Sequence, residues 1–303
     1  MNIRSKKKKI TKQGMSDHAF NTVLTVIATL WMIIVAYPCI YIISSSISSG
    51  TAITSGRVLL WPVDISFAGY ELVFSYKAVW TGYLNTILYA GLGTVLHLAL
   101  TICMAYPLSR RDYQGKGVIQ RLLTVAMLFS GGLIPTYIVV SNLGLVDTRT
   151  YMIISGAVSV SHVIIMRTFF QSSIPHELLE SAKMDGISDY GFLFKIVLPL
   201  SKASIAVIML YAMVGKWNAY MGPLIYLRTR EYYPLQLIVR DILYATEIEA
   251  SQIADPSMVE KLATAADQMK YALVIVSTLP MLILYPCLQK FFEKGVMIGS
   301  LKG

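Results

Sequence analysis

The side chains with the most chemical potential crowd into one stretch, Ile174-Pro175-His176-Glu177-Leu178-Leu179-Glu180-Ser181-Ala182-Lys183-Met184-Asp185-Gly186. Its His176-Glu177-Leu178-Leu179-Glu180 run has the outline of an H-E-x-x-H zinc helix, in which two imidazoles one turn apart hold the metal. Glu180 stands where the second imidazole is needed, so that site does not form. The phosphate-cradling G-x-x-x-x-G-K-[ST] loop and the G-x-S-x-G nucleophile elbow are both missing from the 303 residues. Cys39, Cys103 and Cys287 lie far apart inside apolar runs, a spacing that suits neither a disulfide framework nor a zinc site. With those motifs absent, the stretch reads as a charged, amphipathic loop suited to docking.

The loop carries its own folding instructions. Pro175 fits the first turn of a helix, where its missing N–H has no partner to lose. Glu177 and Glu180 complement the positive N-terminal end of that helix. Gly186 can take the left-handed conformation that stops it. A second amphipathic segment, Tyr190 to Val197, then runs to Leu198-Pro199. Two short helices are the expectation.

The elements that position this loop are apolar. Hydrophobic residues make up 55% of the chain and charged residues 14%, against about a quarter in soluble domains. A helix needs about 20 mostly apolar residues to cross the hydrocarbon of a bilayer. Phe20–Ile43, Leu84–Tyr106, Leu122–Val146 and Tyr271–Gln289 contain no charged residue. Tyr151–Met166 is shorter but ends at Arg167, which can snorkel, and Ala203–Leu227 is interrupted by Lys216 alone. Six membrane helices follow, in an all-α polytopic domain over 20–289. A basic tail before an apolar stretch also outlines a signal peptide, and Ser44–Ser49 supplies small residues for cleavage. The 24 uncharged residues of the first run exceed a signal core of about 7–15 and favour a retained helix.

The net charge of +9 would suit nucleic acid, but no groove-reading motif accompanies it. Its distribution fits a membrane instead. With the N-terminus inside, the internal segments hold 17 Lys and Arg and the external ones eight, so the bias places both termini and the 174–199 loop in the cytoplasm. The domain is then flanked by a basic tail, 1–19, and a C-terminal tail, 290–303. Outside lie 44–83 and 228–270, and the second is expected to be a structured element able to touch a partner.

The loop resembles the EAA loop of permease subunits in binding-protein-dependent ABC importers. That pattern is E-A-A, three residues, G, nine residues, then I-x-L-P, and Glu180, Ser181, Ala182, Gly186, Ile196, Leu198 and Pro199 fall at every matching offset, with Asp185 before the glycine. Ser181 replaces an alanine, Leu193 stands where many members carry phenylalanine, and Ala203 where many carry proline. The resemblance extends along the chain to MalG-like carbohydrate permeases through Trp61-Pro62, Tyr70, Asn85-Thr86, Ala105-Tyr106-Pro107-Leu108-Ser109-Arg110 and Trp217-Asn218. It is closer still to the LplC-like subgroup in Phe129-Ser130-Gly131-Gly132-Leu133-Ile134-Pro135-Thr136-Tyr137, Arg167-Thr168-Phe169-Phe170, Pro234-Leu235-Gln236 and the Gly295–Gly303 ending.

What the resemblance implies is a type I ABC importer fold, without catalytic or metal-binding residues of its own, in a bacterial cell membrane. A second permease subunit would share the pathway, two ATP-binding subunits would hold ATP and Mg, and an external solute-binding protein would deliver an oligosaccharide. Glu180, Ser181, Ala182, Asp185, Gly186, Ile196, Leu198 and Pro199 would couple to the ATPase, and the C-terminal tail would reach toward it. For the substrate path the expected residues are Asn85, Tyr89, Tyr137, Trp217, Asn218 and Tyr220, with His97, Ser130 and His162 as further polar groups in the spans. Aromatic faces and hydrogen-bonding side chains suit sugars. Gly131-Gly132 before Pro135 marks either a break in the third helix or a close-packing notch, and the sequence leaves both open. The alternatives that stay open are a permease for a non-sugar solute, a secondary transporter and a membrane-integral enzyme.

Overall fold

A 33-residue helix, about 50 Å long at 1.5 Å per residue, forms the axis of the molecule. The computed structural model describes residues 15–129, 131–252 and 256–300, with side chains placed over 20–129, 131–244 and 264–286. Ser130, most of the basic tail and the last three residues lie outside the described chain.

In chain order the helices are α1 (Met15–Ser46), α2 (Gly50–Thr54), α3 (Ala68–Ser75) and the axial α4 (Lys77–Ser109). Next come α5 (Lys116–Leu128), α6 (Leu133–Asn142), α7 (Arg149–Ile154) and α8 (Val160–Ser173). The loop region holds α9 (His176–Met184), α10 (Asp189–Phe192), a wide π turn at Leu193–Val197, and α11 (Leu198–Leu200). Then follow α12 (Lys202–Trp217), α13 (Met221–Tyr226), a 3-10 turn at Arg230–Tyr232, α14 (Leu235–Gln252) and α15 (Pro256–Ser300).

Helix α4 packs against α7, α8, α12 and α14, while α15 gathers α1, α2, α3, α12 and α14. One face of α4 makes these contacts possible. Thr86, Ala90, Gly93, Thr94, His97, Thr101, Ala105 and Leu108 are buried and recur every three or four residues. Small and hydroxylated side chains let backbones approach where no water is available to drive association. Two apolar clusters sit along this face. One joins Val79 and Ala90 to Trp217, Leu235, Ile238 and Leu273. The other joins Leu98, Ala105 and Leu108 to Met166, Phe170, Leu179, Val197 and Ile208.

The outer surface is the reverse of a soluble protein's. Helix α1 has a 27-residue apolar stretch, Phe20–Ser46, whose most apolar window is entirely unburied within this chain. Trp31, Met32 and Ile34 are all more than 60% exposed. Patches of that size are stable against hydrocarbon or another subunit, not against water.

Among the described residues three helices are long and apolar enough to cross a membrane, Phe20–Ser46, Lys77–Ser109 and Thr264–Pro286, and up to five if two bent pairs count as one span each. The bends explain the difference from six continuous runs. The third run is divided between α5 and α6, with Gly132 at φ +81°, so of the two readings of Gly131-Gly132 the break is the one seen. The fourth run, expected as one helix over Tyr151–Met166, is two: α7 stops at Ile154, Gly156 turns with φ +66°, and α8 starts at Val160 and continues through Arg167 to Ser173. In the fifth run α12 ends at Trp217, and the short helix α13 completes the distance to Leu227. The residues after α1 fold inward. Ser45 and Ser48 are fully buried, and the Ser48 hydroxyl donates to Ser44 O at 2.6 Å and accepts from the Val63 amide at 3.1 Å. Ser44–Ser49 is thus a packed corner.

Candidate functional site

The 174–199 loop folds as two short helical pieces standing on the second apolar cluster. Pro175 caps α9 with extended backbone, φ −60° and ψ 145°, and Glu177 lies in the first turn. At the other end the amide of Gly186 donates to Lys183 O at 3.1 Å and that of Ile187 to Ala182 O at 2.9 Å. These two crossed bonds are the Schellman arrangement, which requires the left-handed residue that Gly186 supplies at φ +74°. Ser188 then caps α10, its Oγ accepting from the Gly191 amide at 3.2 Å. After Pro199 the chain turns by 80° into α12.

The expected loop residues divide into two sets. Ala182 is buried, and Ile196 and Leu198 pack against the same cluster, so they seat the loop on Leu179, Phe192, Val197 and Met166. Glu180, Ser181, Asp185, Gly186 and Pro199 are exposed. Glu180 pairs with His176, Oε1 to Nδ1 at 3.2 Å, and its side chain stays open to solvent. Sequence reasoning passed over Met184, Tyr190 and Phe194, which are 89%, 79% and 64% exposed beside the acids. Apolar side chains left that open on a folded loop were the available signal.

Arg110, just past the end of α4, anchors the loop. Its guanidinium donates through Nε and Nη2 to both oxygens of Asp112 at 2.9 and 2.7 Å, and through Nη1 to Asp189 Oδ1 and the Tyr106 hydroxyl, each at 2.9 Å. Lys183 on α9 reaches the same Asp112 at 3.4 Å. The hydrogen bonds from Arg110 hold the Asp112 carboxyl well below the usual carboxylate range, and those same bonds strengthen the hold of Arg110 on its own proton.

The polar residues expected along a substrate path are not brought together. Asn85 is buried, its Nδ2 donating to Glu231 O at 2.7 Å and Tyr233 O at 3.0 Å. Tyr89 donates to Tyr232 O at 2.9 Å, and Thr86 Oγ1 accepts from the Leu235 amide at 2.8 Å. Trp217 is 2% exposed and its indole donates to Ser277 O on α15 at 3.0 Å. These three expected residues therefore fasten α4, α12, α15 and the 230–235 turn to one another. Tyr137 is half-buried and stacks on Tyr226, while Asn218 and Tyr220 are exposed.

A third cluster, not assembled by sequence reasoning, occupies the break in the fourth run. Lys216 donates to the carbonyls of Met152 at 2.8 Å and Ile153 at 3.2 Å, and to the carbonyl and hydroxyl of Ser155. It neutralises the negative end of α7, which water would otherwise have to solvate. Gly93 makes room: a Cβ there would come within 3.0 Å of Lys216 Cε. Beside it the two histidines of the spans meet, His97 Nε2 to His162 Nδ1 at 2.8 Å. Among the described residues no group of three or more His, Cys, Asp or Glu side chains could hold a metal.

This all-helical, lipid-facing architecture is that of a transport membrane component, and the chain belongs to the family described as "Binding-protein-dependent transport system inner membrane component", whose model matches residues 12–298. Among its relatives is the "Polygalacturonan/rhamnogalacturonan transport system permease protein YtcP" of Bacillus subtilis (strain 168), 36% identical over 95% of this chain and 100% of that protein. Protein LplC of the same organism is 36% identical over 88% of this chain and 89% of that one. A chain from the crystal structure of a bacterial ABC transporter involved in the import of the acidic polysaccharide alginate superposes with a TM-score of 0.83. It is 35% identical, over 92% of this chain and 98% of that one.

Proposed function

We propose that this chain is a permease subunit of an ATP-driven importer of oligosaccharides, and that its 174–199 loop docks on the ATPase. The chain matches the YtcP permease end to end, and the name of that relative gives the carbohydrate reading its support. In this reading six crossings keep both termini and the loop in the cytoplasm, following the Lys and Arg bias. The chain itself carries no catalytic or cofactor site; ATP and Mg belong to two partner ATPase subunits. A second permease subunit covers part of the exposed apolar surface. The 228–270 segment, with α14 at its centre, faces an external binding protein.

The observation that carries the coupling role is the build of the loop. Within the loop α9 is stopped by Gly186 and seated by Leu179 and Ala182, and α10 is clamped by Arg110 through Asp189, yet the loop presents Glu180, Met184, Asp185, Tyr190 and Phe194 outward. A rigid seat under an open acidic and apolar face is what a peg between two moving bodies needs: motion of the partner is transmitted, not absorbed. Ser181, Gly186 and Pro199 shape the outward edge, while Ile196 and Leu198 fix it to the membrane domain. Tyr137, Asn218 and Tyr220 are the more accessible of the six path residues, and Asn85, Tyr89 and Trp217 hold the wall behind them.

The experiment is reconstitution with the ATPase, the second permease and the binding protein in vesicles. Glu180→Lys is expected to cut sugar uptake at least tenfold and to weaken retention of the ATPase on the purified membrane subunits. Normal uptake and normal retention together would rule out the docking role.

A further inference from the structure

The histidine pair can be assigned its protons. His97 Nδ1 lies 3.2 Å from Gly156 O, and a carbonyl only accepts, so this nitrogen carries hydrogen. In the neutral ring His97 Nε2 is then an acceptor, and it faces His162 Nδ1 at 2.8 Å, which must donate. The chain Gly156 O, His97, His162 thus runs one way and leaves His162 Nε2 as its open end. Neutral, that nitrogen accepts a hydrogen bond; protonated, it is a cationic donor that an anion would hold in place. No described residue partners it.

The surroundings select the charge of a ligand. A cavity of about 350 Å³ opens here between α4, the α7–α8 break and α12, within the range of about 300–1,000 Å³ typical of small-molecule sites. His97, His162, Ser155, Tyr211 and Lys216 line it, and no carboxylate does. The titratable groups facing His162 are His97 from α4 and Tyr211 and Lys216 from α12, none of them an acid. Lys216 has its three protons directed to backbone and hydroxyl oxygens, but its positive charge remains at the cavity wall. Tyr211 lies over His162 with ring centres 5.9 Å apart and planes 28° apart, and it is 60% exposed. His162 Nε2 becomes a donor when the ring takes up a proton, which an arriving carboxylate favours, and an aromatic face beside that cationic donor suits a sugar ring bearing a carboxylate.

We propose that the cavity at the α7–α8 break is a binding site for a uronic-acid residue of the passing oligosaccharide, its carboxylate on His162 Nε2 and its ring on Tyr211. This rests on the carbohydrate-permease reading and narrows it to acidic oligosaccharides. The positive charge of Lys216 and the fixed tautomer of His97 position the site without touching the ligand.

The test uses the full reconstituted complex and two acidic probes, trigalacturonate and trimannuronate, each against its carboxyl-reduced neutral form. The quantity read is the ratio of maximal uptake rates, acidic over neutral. His162→Phe is expected to lower that ratio about tenfold, and His162→Gln, which keeps a donor near the Nε2 position without charge, about threefold. Neutral uptake in the same vesicles is the denominator of that ratio and absorbs any general effect of the substitution on transport. Assembly is checked by co-purification of the subunits; if His162→Phe does not assemble, the Gln variant decides. An unchanged ratio in an assembled variant overturns the site. A wild-type complex that imports neutral trimers but neither acidic probe overturns the acidic assignment and leaves the carbohydrate reading standing. Import of a non-sugar solute alone removes both.

Discussion

The 174–199 loop and the α7–α8 break handle charge in opposite ways. At the loop, side chains pair with side chains: Arg110 with Asp112 and Asp189, Lys183 with Asp112, His176 with Glu180. All these partners except Arg110 stand at least one-third exposed, so water can replace a lost contact. At the break, Lys216 pairs with backbone carbonyls of α7 among packed helices. One ammonium group serves several acceptors there. The loop can tolerate chemical change on its outer face, whereas the break depends on one ammonium group.

That contrast sets the order of effects. Lys216→Met should be the most damaging single change, because it strands several carbonyls at once. Each buried unsatisfied group costs about 1–3 kcal/mol, so a thermal melt of the purified subunits should show a loss of about 3 kcal/mol and little assembled complex. A Lys216→Met protein with the wild-type melt would erase the distinction between the regions. Gly186→Ala comes next. It forces a side chain into φ +74°, a strain of about 1 kcal/mol; since a Cβ there meets open space, the cost is conformational alone, and transport-coupled ATPase should fall further than stability does. The smallest effect is that of acid. The Asp112 carboxyl has its pKa depressed in the folded chain, so its contribution is complete above the unfolded value of about 3.9 and is lost only as pH falls through the lower folded value. Melting between pH 5 and 8 should therefore be insensitive to this pair, and Arg110→Ala should remove only the response seen below pH 4. A change centred near neutral pH would point to a different group.

The sequence was legible where local chemistry decides local shape. Pro175 and Gly186 bracket α9 because a missing N–H and a left-handed φ are properties of those residues alone. Gly131-Gly132 was only half legible, since the pair suits a break and a packing notch equally. Less could be read where a side chain's partner comes from far along the chain. Hydropathy treats Tyr151–Met166 as one run, and nothing within it announces that Lys216, more than 60 residues later, will stabilise the end of a helix there. Trp217, Asn85 and Tyr89 have the composition of a sugar contact, yet their polar atoms are taken by Ser277, Glu231, Tyr233 and Tyr232. A polar residue in an apolar span says that it needs a partner. It does not say whether that partner is a ligand or the backbone.

Helix α4 joins these regions in a single uninterrupted piece. Near its start Asn85, Thr86 and Tyr89 grip the 231–235 segment; past its other end Arg110 grips Asp189. Such a part behaves as a pushrod whose stiff length runs from the 231–235 grip to just short of Arg110, where Pro107 in the last turn removes one helical amide. The two faces of the membrane domain are in this respect mechanically one object, and either can report the position of the other.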